Sequence, residues 1–354
     1  MKTYEIAVYP GDGIGPEVID QAVRVLEAVQ AQLGGFTLRL TRLPWGVDYW
    51  DETGQVVPSD FLDILRPFDA ILLGAIGYPA RLPDHLTLAP LIKLRQSFDL
   101  YACLRPARLW PGVRCPLANK AAGEIDLVVV RENSEGEYVD SGGRFKVGKP
   151  EEFALQTAIH TRPGIERILR FSFDLALKRR QHLTLVTKSN AQKYGFVLWD
   201  EILEELRPHF PTVSVDKYHV DAAAMNFVRW PERFDVVVGS NLFGDILSDL
   251  SGIIIGGLGL APSANLNPER TYPSLFEPVH GSAPDIAGQG IANPVAAILS
   301  AAMMLEWLEL TVAAQTIRQA VETTLSQGEG TSDLGGRLST EQMTDVIIQN
   351  LAAG

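Results

Sequence analysis

Two aspartates stand four residues apart in the segment SNLFGDILSDLSG, which spans residues 240–252. On a helix, Asp245 and Asp249 would share one face, where two like charges destabilise the helix by roughly a few tenths of a kcal/mol. A divalent cation such as Mg²⁺ prefers carboxylate oxygens and would turn this repulsion into attraction. Because the pair also lies among apolar residues, the segment predicts a metal site.

A third acid, Asp221, opens another predicted helix in the segment KYHVDAAAMNFV. It is a candidate ligand for the same kind of metal. An acid at this position also stabilises a helix by complementing its dipole, so both interpretations stay open.

Three arginines are suited to binding a dicarboxylate. Arg95 and Arg105 flank the segment SFDLYACL, and Arg131 ends a predicted strand. Arginine makes bidentate hydrogen bonds to planar carboxylates, so three of them in one pocket would hold two carboxylates. Isolated arginines usually lie at the surface, and spacing alone does not bring these three together.

Tyr138 and Lys188 are candidate acid–base residues. A lysine works near neutral pH only when its pKa is lowered, which nearby cations or a metal would do. Taken singly, each residue is better interpreted as structural, the lysine exposed and the tyrosine packed.

The composition indicates an enzyme of the cell interior. The chain has 354 residues, with 43 acidic against 31 basic side chains and a formal net charge of −12, which argues against a general nucleic-acid binder. Two cysteines without a CxxC pair suit a reducing compartment. The N-terminus lacks the apolar run of a signal peptide, and the longest apolar stretches are too short to span a membrane. We therefore expect a cytoplasmic protein that binds neither nucleic acid nor membranes.

The pattern of strands and helices predicts α/β layers with parallel strand pairing. Strands are expected at 5–9, 36–42 and 69–77, and further strands at 125–133, 183–190 and 234–241. The last three end abruptly in polar residues, which makes their ends candidate walls of a binding site, since ligands of open α/β sheets bind there. Helices are expected near 294–308, 312–327 and 339–352, and the segment 135–152 is either a loop or an exposed hairpin.

The glycine-rich turn PGDGIGPE, residues 10–17, is not a dinucleotide fingerprint, because Pro16 stands where the third glycine is required. It also lacks the GK[ST] of a P-loop. A tight turn that needs positive φ and a ligand contact are about equally good interpretations.

Eight segments in fixed order resemble the β-decarboxylating dehydrogenase family, the isopropylmalate and isocitrate dehydrogenases. The most specific are GDILSDL at 244–250 and HGSAPDIAGQGIANP at 280–294. Within the family, the segments at 43–58 and 83–96 resemble the tartrate dehydrogenase/decarboxylase and D-malate dehydrogenase branch. Cys103 stands where relatives commonly have Asn, and Ala89-Pro90 replaces a frequent Trp-Gly, which bears on substrate choice.

The resemblance implies a role for each matching residue. The residues implied to bind substrate are Arg95, Arg105 and Arg131 for the carboxylates and Leu88 and Leu91 for the tail. The implied ligands of Mg²⁺ or Mn²⁺ are Asp245, Asp249 and, from a neighbouring subunit, Asp221. Tyr138 is implied as a proton donor and Lys188 of the neighbour as a catalytic lysine, with Asp221 beside it. The implied NAD site comprises Ile14, Asn190, Glu277, His280, Gly281, Ala283, Asp285 and Asn293.

The implied fold is α/β but not a Rossmann fold, with two domains. Residues 1–102 and 256–354 would form a first, NAD-binding domain and residues 103–255 a second domain for dimerisation, metal and substrate. An arm at 135–149 would join two subunits into a homodimer with shared active sites. Asp285 favours NAD, because a carboxylate accepts hydrogen bonds from ribose hydroxyls but repels a 2′-phosphate. K⁺ is a further candidate cofactor.

The function implied is NAD-dependent oxidative decarboxylation of a 2-hydroxy dicarboxylic acid, with D-malate or tartrate as the leading substrates. An apolar wall at Leu88 and Leu91 would also suit an alkyl group, so 3-isopropylmalate of leucine biosynthesis is the alternative. A catalytically inactive NAD- or metal-binding regulator belongs to a different class; its expected loss of Tyr138, Lys188 or an Asp ligand is not seen.

Overall fold

The computed structural model describes residues 2–351. Residues 1 and 352–354 lie outside this range. The predicted first domain includes all four of them, and the predicted last helix includes residue 352. No helix of the described residues is long and apolar enough to cross a membrane. The strands are β1 Lys2–Gly11, β2 Phe36–Arg42, β3 Ala70–Ala75, β4 Ala102–Arg108, β5 Asp126–Glu132, β6 Gly142–Phe145, β7 Phe153–Gln156, β8 His182–Thr187, β9 Ser214–His219, β10 Val236–Gly239, β11 Pro262–Leu266 and β12 Ser274–Pro278. The helices are α1 Gly15–Leu33, α2 Val47–Thr53, α3 Phe61–Leu65, α4 Asp84–Thr87, α5 Ala89–Ser97, α6 Arg162–Leu177, α7 Gly195–Leu206, α8 Val220–Arg229, α9 Asn241–Ile254, α10 Val295–Trp307, α11 Thr311–Ser326 and α12 Thr340–Leu351.

Ten strands form one mixed sheet in the order β2-β1-β3-β12-β11-β4-β5-β10-β8-β9. The pairs at both ends are parallel, which confirms the parallel pairing predicted from the first hundred residues. The centre differs, because β4 runs antiparallel to β5 and β11, and β11 antiparallel to β12. Neighbouring parallel strands need a crossover connection, usually a helix. The β4–β5 and β11–β12 connections contain no helix, so the second strand of each pair runs antiparallel to the first.

The helices cover the sheet on both faces. α1 begins with Pro16 in its first turn and packs the apolar stripe of Val18, Val25 and Val29 against β3, α10 and α12. α10 is buried on nearly all sides. α9 packs on β4 and β5, and α6 packs on β5 and β10. Each predicted strand and each of the three predicted C-terminal helices is confirmed, with bounds that differ by a few residues.

The sheet is continuous across the predicted domain division. Strand β4 starts at Ala102, next to the predicted boundary, and pairs with β11 of the other predicted domain. The two-domain division therefore stays a prediction, and the β4–β11 ladder is the place where it would fall.

The segment after β5 is an exposed hairpin rather than a loop. Strands β6 and β7 pair antiparallel and expose every residue. The rings of Phe145 and Phe153 stack at 4.8 Å between centroids on this hairpin. Val147 and Leu155 are more than half exposed beside them.

Candidate active site

The start of α9 is fixed to the loop that follows β5. Ser240 caps the helix by accepting a hydrogen bond from the Phe243 N–H at 3.4 Å. The Glu137 carboxylate accepts from the Ser240 hydroxyl at 2.8 Å and from the Leu242 N–H at 3.0 Å. Because Glu137 directly precedes Tyr138, this contact sets the position of Tyr138 relative to α9.

Four predicted site residues meet at Asp245, and we call them the Asp245 cluster: Arg105, Arg131, Tyr138 and Asp245. The Asp245 Oδ1 atom accepts hydrogen bonds from Arg105 Nη1 at 3.0 Å and from Arg131 Nη1. The Tyr138 hydroxyl donates to Asp245 Oδ2 at 2.7 Å. Burial, and then the Asp245 charge, raises the pKa of Tyr138 to about 12. Tyr138 therefore keeps its proton at neutral pH and is available as a proton donor.

Arg131 is the most deeply buried cation of the cluster, at 1% exposure. Its Nε and Nη2 atoms donate to Asn241 Oδ1 at 2.9 and 2.7 Å. Burial lowers the pKa of Arg131 and the charge of Arg105 lowers it further, whereas Asp245 opposes both. Asn241 and Asp245 together compensate the buried charge.

Two buried arginines keep an N–H group without a partner among the described residues. Arg105 Nη1 donates to Ser248 Oγ at 2.8 Å, and Arg95 Nη2 donates to Glu277 Oε1 at 2.8 Å. The Nε atoms of both arginines are buried and unpaired. Because an unpaired buried donor costs free energy, these atoms suit an anionic ligand.

Glu277 connects Arg95 to the end of β5. Its Oε1 atom also accepts from Asn265 Nδ2 at 2.8 Å, and Asn265 Oδ1 accepts from Asn133 Nδ2 at 2.9 Å. These hydrogen bonds connect Asn133, directly after β5, to Arg95, and the role of this strand end as a wall of the site stays a prediction.

Asp245 and Asp249 lie one turn apart on α9, as predicted, and their oxygens fit a hard divalent cation. Burial opposes ionisation of Asp245, but Arg131 and Arg105 outweigh it and lower its pKa. Burial raises the pKa of Asp249. The positive charge of Arg105 opposes this increase, with 3.5 Å between Arg105 Nη1 and Asp249 Oδ1. Residues 2–351 hold no group of three or more His, Cys, Asp or Glu side chains that could bind a metal. Metal binding by Asp245 and Asp249 stays a prediction.

Lys188 and Asp221 contact each other rather than the Asp245 cluster. The Lys188 Nζ atom donates to Asp221 Oδ1, and this contact is the main cause of the lowered pKa of Asp221. Within the described chain neither residue makes a hydrogen bond or ion pair to the Asp245 cluster. Asp221 lies in the first turn of α8, where a carboxylate also stabilises the helix dipole. Both interpretations of Asp221, as a metal ligand and as a helix-stabilising acid, therefore stay open.

The glycine-rich turn docks on the loop that follows β12. The Ile14 N–H donates to the Ser282 carbonyl oxygen at 2.8 Å. Gly13 has a φ of 58°, and a Cβ there would lie 2.0 Å from that oxygen. The positive-φ interpretation of the turn is therefore confirmed.

The loop after β12 carries most of the predicted NAD residues. The His280 Nε2 atom is buried and unpaired among the described residues, and its Nδ1 atom lies 2.9 Å from the Gly281 carbonyl oxygen. Ala283 has a left-handed φ of 38°, a strained conformation that often marks functional sites. Asn293 Nδ2 donates to Asp333 Oδ2 at 3.0 Å. An unpaired buried ring nitrogen fits a hydrogen-bonding cofactor.

The other predicted ligand-binding residues lie in less constrained surroundings. Asp285 and Asn190 are exposed. Leu91 is buried and Leu88 is half-buried, and both pack in one apolar cluster. These roles stay predictions.

Two residues that position the arginines are absent from the predicted site: Asn241, which was expected only as part of a wall, and Ser248. Together with Asp245 and Asp249 they occupy one face of α9, at the i, i+4, i+7 and i+8 spacing. This polar stripe inside an apolar segment is the signal that could have revealed them.

The isocitrate/isopropylmalate dehydrogenase family model matches residues 5–347. The chain is 49% identical to D-malate dehydrogenase [decarboxylating] of Escherichia coli (strain K12), over 98% of each chain. It is also 49% identical to tartrate dehydrogenase/decarboxylase of Pseudomonas putida, over 99% of this chain and 98% of the relative.

Solved structures agree with this result. An isocitrate dehydrogenase from Methylococcus capsulatus superposes with a TM-score of 0.89, at 38% identity over 98% of this chain and 99% of the other. A β-decarboxylating dehydrogenase from Thermococcus kodakarensis gives a TM-score of 0.77, at 40% identity over 99% and 96% of the two chains. Similarity over nearly the full length of both chains confirms the predicted isopropylmalate-dehydrogenase-like α/β fold, whereas the intersubunit arm stays a prediction. The chain belongs to the isocitrate/isopropylmalate dehydrogenase family.

Proposed function

We propose that this protein catalyses NAD-dependent oxidative decarboxylation of D-malate to pyruvate and CO₂, with tartrates as related substrates. The observation that carries the proposal is the Asp245 cluster, in which two buried arginines and a protonated tyrosine surround one carboxylate. The names of the relatives, D-malate dehydrogenase and tartrate dehydrogenase/decarboxylase, supply the substrate class.

In this proposal the arginines bind the two substrate carboxylates. Arg95 and Arg105 offer their unpaired Nε donors. Arg131 shares the Asp245 carboxylate with Arg105. Guanidinium groups hold a carboxylate in a fixed orientation through paired hydrogen bonds. This orientation would keep the C2–H bond of the substrate directed towards the nicotinamide.

Asp245 and Asp249, completed by Asp221 of the partner subunit, would hold Mg²⁺ or Mn²⁺. When bound, the metal is a Lewis acid that lowers the pKa of the substrate hydroxyl and stabilises negative charge on the same oxygen. The direct contact of Asp221 with Lys188 supports a role for both in the same site, at the boundary between two subunits.

Two side chains of this protein would transfer protons. Lys188 of the partner subunit would accept the proton of the C2 hydroxyl, and NAD, when bound, would supply the acceptor for the C2 hydride. The resulting 2-keto acid carries a carboxylate β to its carbonyl. The bond between this carboxylate and the adjacent carbon then breaks and releases CO₂, and the electron pair stays on that carbon as an enolate. Tyr138 donates its proton to the carbon that the CO₂ has left, and its pKa of about 12 keeps that proton available.

Glu277, His280 and Asn293 would hold NAD, together with Ile14 of the glycine-rich turn that docks on the loop after β12. The exposed Asp285 carboxylate is free to accept hydrogen bonds from the ribose hydroxyls. This arrangement favours NAD over NADP.

A homodimer is supported by two exposed apolar features of the second predicted domain. One is the β6–β7 hairpin with its stacked phenylalanines. The other is the outer face of α8 and α9, where Met225 is 63% exposed and Ile246 is 54% exposed. Large exposed apolar patches mark interaction surfaces, and α8 also carries Asp221. The hairpin is therefore proposed as the intersubunit arm.

The alternative substrate is 3-isopropylmalate. The half-buried Leu88 and the buried Leu91 supply an apolar wall that an alkyl tail would fill.

The proposal is tested by incubating the purified protein with D-malate, NAD and Mn²⁺. NADH is followed by absorbance and CO₂ is trapped in parallel. The expected result is equal yields of NADH and CO₂, both lost in EDTA. NADH without CO₂ would contradict decarboxylation, and no reaction with D-malate or tartrate would contradict the substrate class.

A further inference from the structure

A cavity lies on the face of the sheet opposite the Asp245 cluster, and we call it the back cavity. It has a volume of about 490 Å³, and Leu104, Pro106 and Val128 line it. Successive residues of a strand point to opposite faces, so Leu104 and Pro106 flank Arg105 but face away from it. The back cavity is thus separate from the proposed active site although both use β4 and β5.

The walls of the back cavity come from two helices on that face. Leu175 of α6 lies on one side, and Leu299 and Met303 of α10 lie on the other. Trp110 also lines the cavity, and the Arg108 guanidinium lies 4.5 Å from its ring centroid. The volume is within the range of small-molecule sites, roughly 300–1,000 Å³.

The rim of the back cavity is basic in a protein of net charge −12. Two carboxylates and four cations line it: Asp126, Glu306, Arg108, Lys178, Arg179 and Arg318. The three arginines are already paired with acids. The exposed Lys178 ammonium makes no hydrogen bond or ion pair with any residue in the described range 2–351.

We propose that the back cavity binds a small organic anion with an apolar body. The body would lie against Leu104, Val128 and Met303, and the anionic group would pair with Lys178. An apolar floor combined with one available cation at the rim is complementary to this class of ligand and not to a neutral or cationic one.

The test uses anilinonaphthalene sulfonate, whose fluorescence increases in apolar surroundings, with the full-length protein. We expect a saturable increase with one site per chain, unchanged by saturating NAD and D-malate because the cavity lies on the other face. Displacement by NAD or D-malate would assign the probe to the active site and overturn the proposal. An increase that does not saturate would overturn it too.

Two variants locate the site. Lys178→Glu should weaken probe binding by about three- to tenfold, whereas Lys2→Glu, at an exposed lysine at the start of β1, should leave it unchanged. Met303→Trp should fill the cavity and abolish the fluorescence increase. Lys178 lies at the surface, so its variant decides the question even where Met303→Trp fails to fold.

The two site variants, Lys178→Glu and Met303→Trp, should keep the turnover of the parent protein. Unchanged probe affinity in Lys178→Glu would refute the proposal. Phenylnaphthylamine, which has the same apolar body without a charge, should bind more weakly than the sulfonate. Equal affinity of the two probes would refute an anion site.

Discussion

Replacing Asn241 with leucine tests whether the carboxamide on α9 holds Arg131 in place. Asn241 Oδ1 accepts two hydrogen bonds from a guanidinium that is 1% exposed. Hydrogen bonds to charged groups are worth about 1.5–3 kcal/mol, and breaking a buried pair costs about 3–5 kcal/mol. Because Arg131 keeps its ion pair with Asp245, we expect Asn241→Leu to lower the free energy of unfolding by about 3 kcal/mol.

The assay is urea denaturation, followed by circular dichroism, of four proteins: the parent, Asn241→Leu, Arg131→Met and the double variant. Once Arg131→Met has removed the buried charge, Asn241→Leu should destabilise the protein less. We therefore expect a coupling energy of about 2 kcal/mol between the two substitutions. Asn241 also donates to the Glu135 carbonyl oxygen at 2.9 Å, but this loss cancels in the cycle. Additive effects within about 0.5 kcal/mol would refute the reasoning.

Four further variants test the proposed roles. Lys188→Met should slow NADH formation by at least about a hundredfold while calorimetry shows unchanged NAD binding; near-parental turnover would contradict proton transfer by Lys188. Asp285→Lys should lower the ratio of kcat/KM for NAD to that for NADP by about tenfold, and an unchanged ratio would contradict ribose recognition by this carboxylate. Asp249→Asn should raise the Mn²⁺ concentration needed for half-maximal rate by about tenfold or more, because an amide is a weaker ligand; an identical metal titration would argue against Asp249 as a ligand. Phe145→Ser should shift sedimentation towards the monomer, whereas an unweakened dimer would argue against the arm.

The chemistry of α9 could be predicted because its polar residues stand out inside an apolar segment. Spacing and charge alone predict that Asp245 and Asp249 share one helix face, and their placement on α9 confirms this. Local patterns carry this information because a helix brings together residues three or four positions apart.

The partners of Asp245 could not be derived in the same way. Arg105 and Arg131 reach it only because β4 and β5 are neighbours in the sheet and α9 packs across both. The sequence pattern does not predict strand β4, because ACLRPAR contains Pro106 and two arginines that obscure the alternation of apolar and polar residues. The prediction that the arginines act in one pocket rests on the resemblance to a family and not on the periodicity of the sequence.

The most direct measurement is a kcat/KM panel for the purified protein with NAD and Mn²⁺. It compares D-malate, L- and meso-tartrate, 3-isopropylmalate and isocitrate by the rate of NADH formation. The proposal predicts that D-malate or a tartrate leads by at least about tenfold, a difference of about 1.4 kcal/mol in transition-state binding. A lead for 3-isopropylmalate or isocitrate would contradict the proposed substrate while leaving the family membership intact.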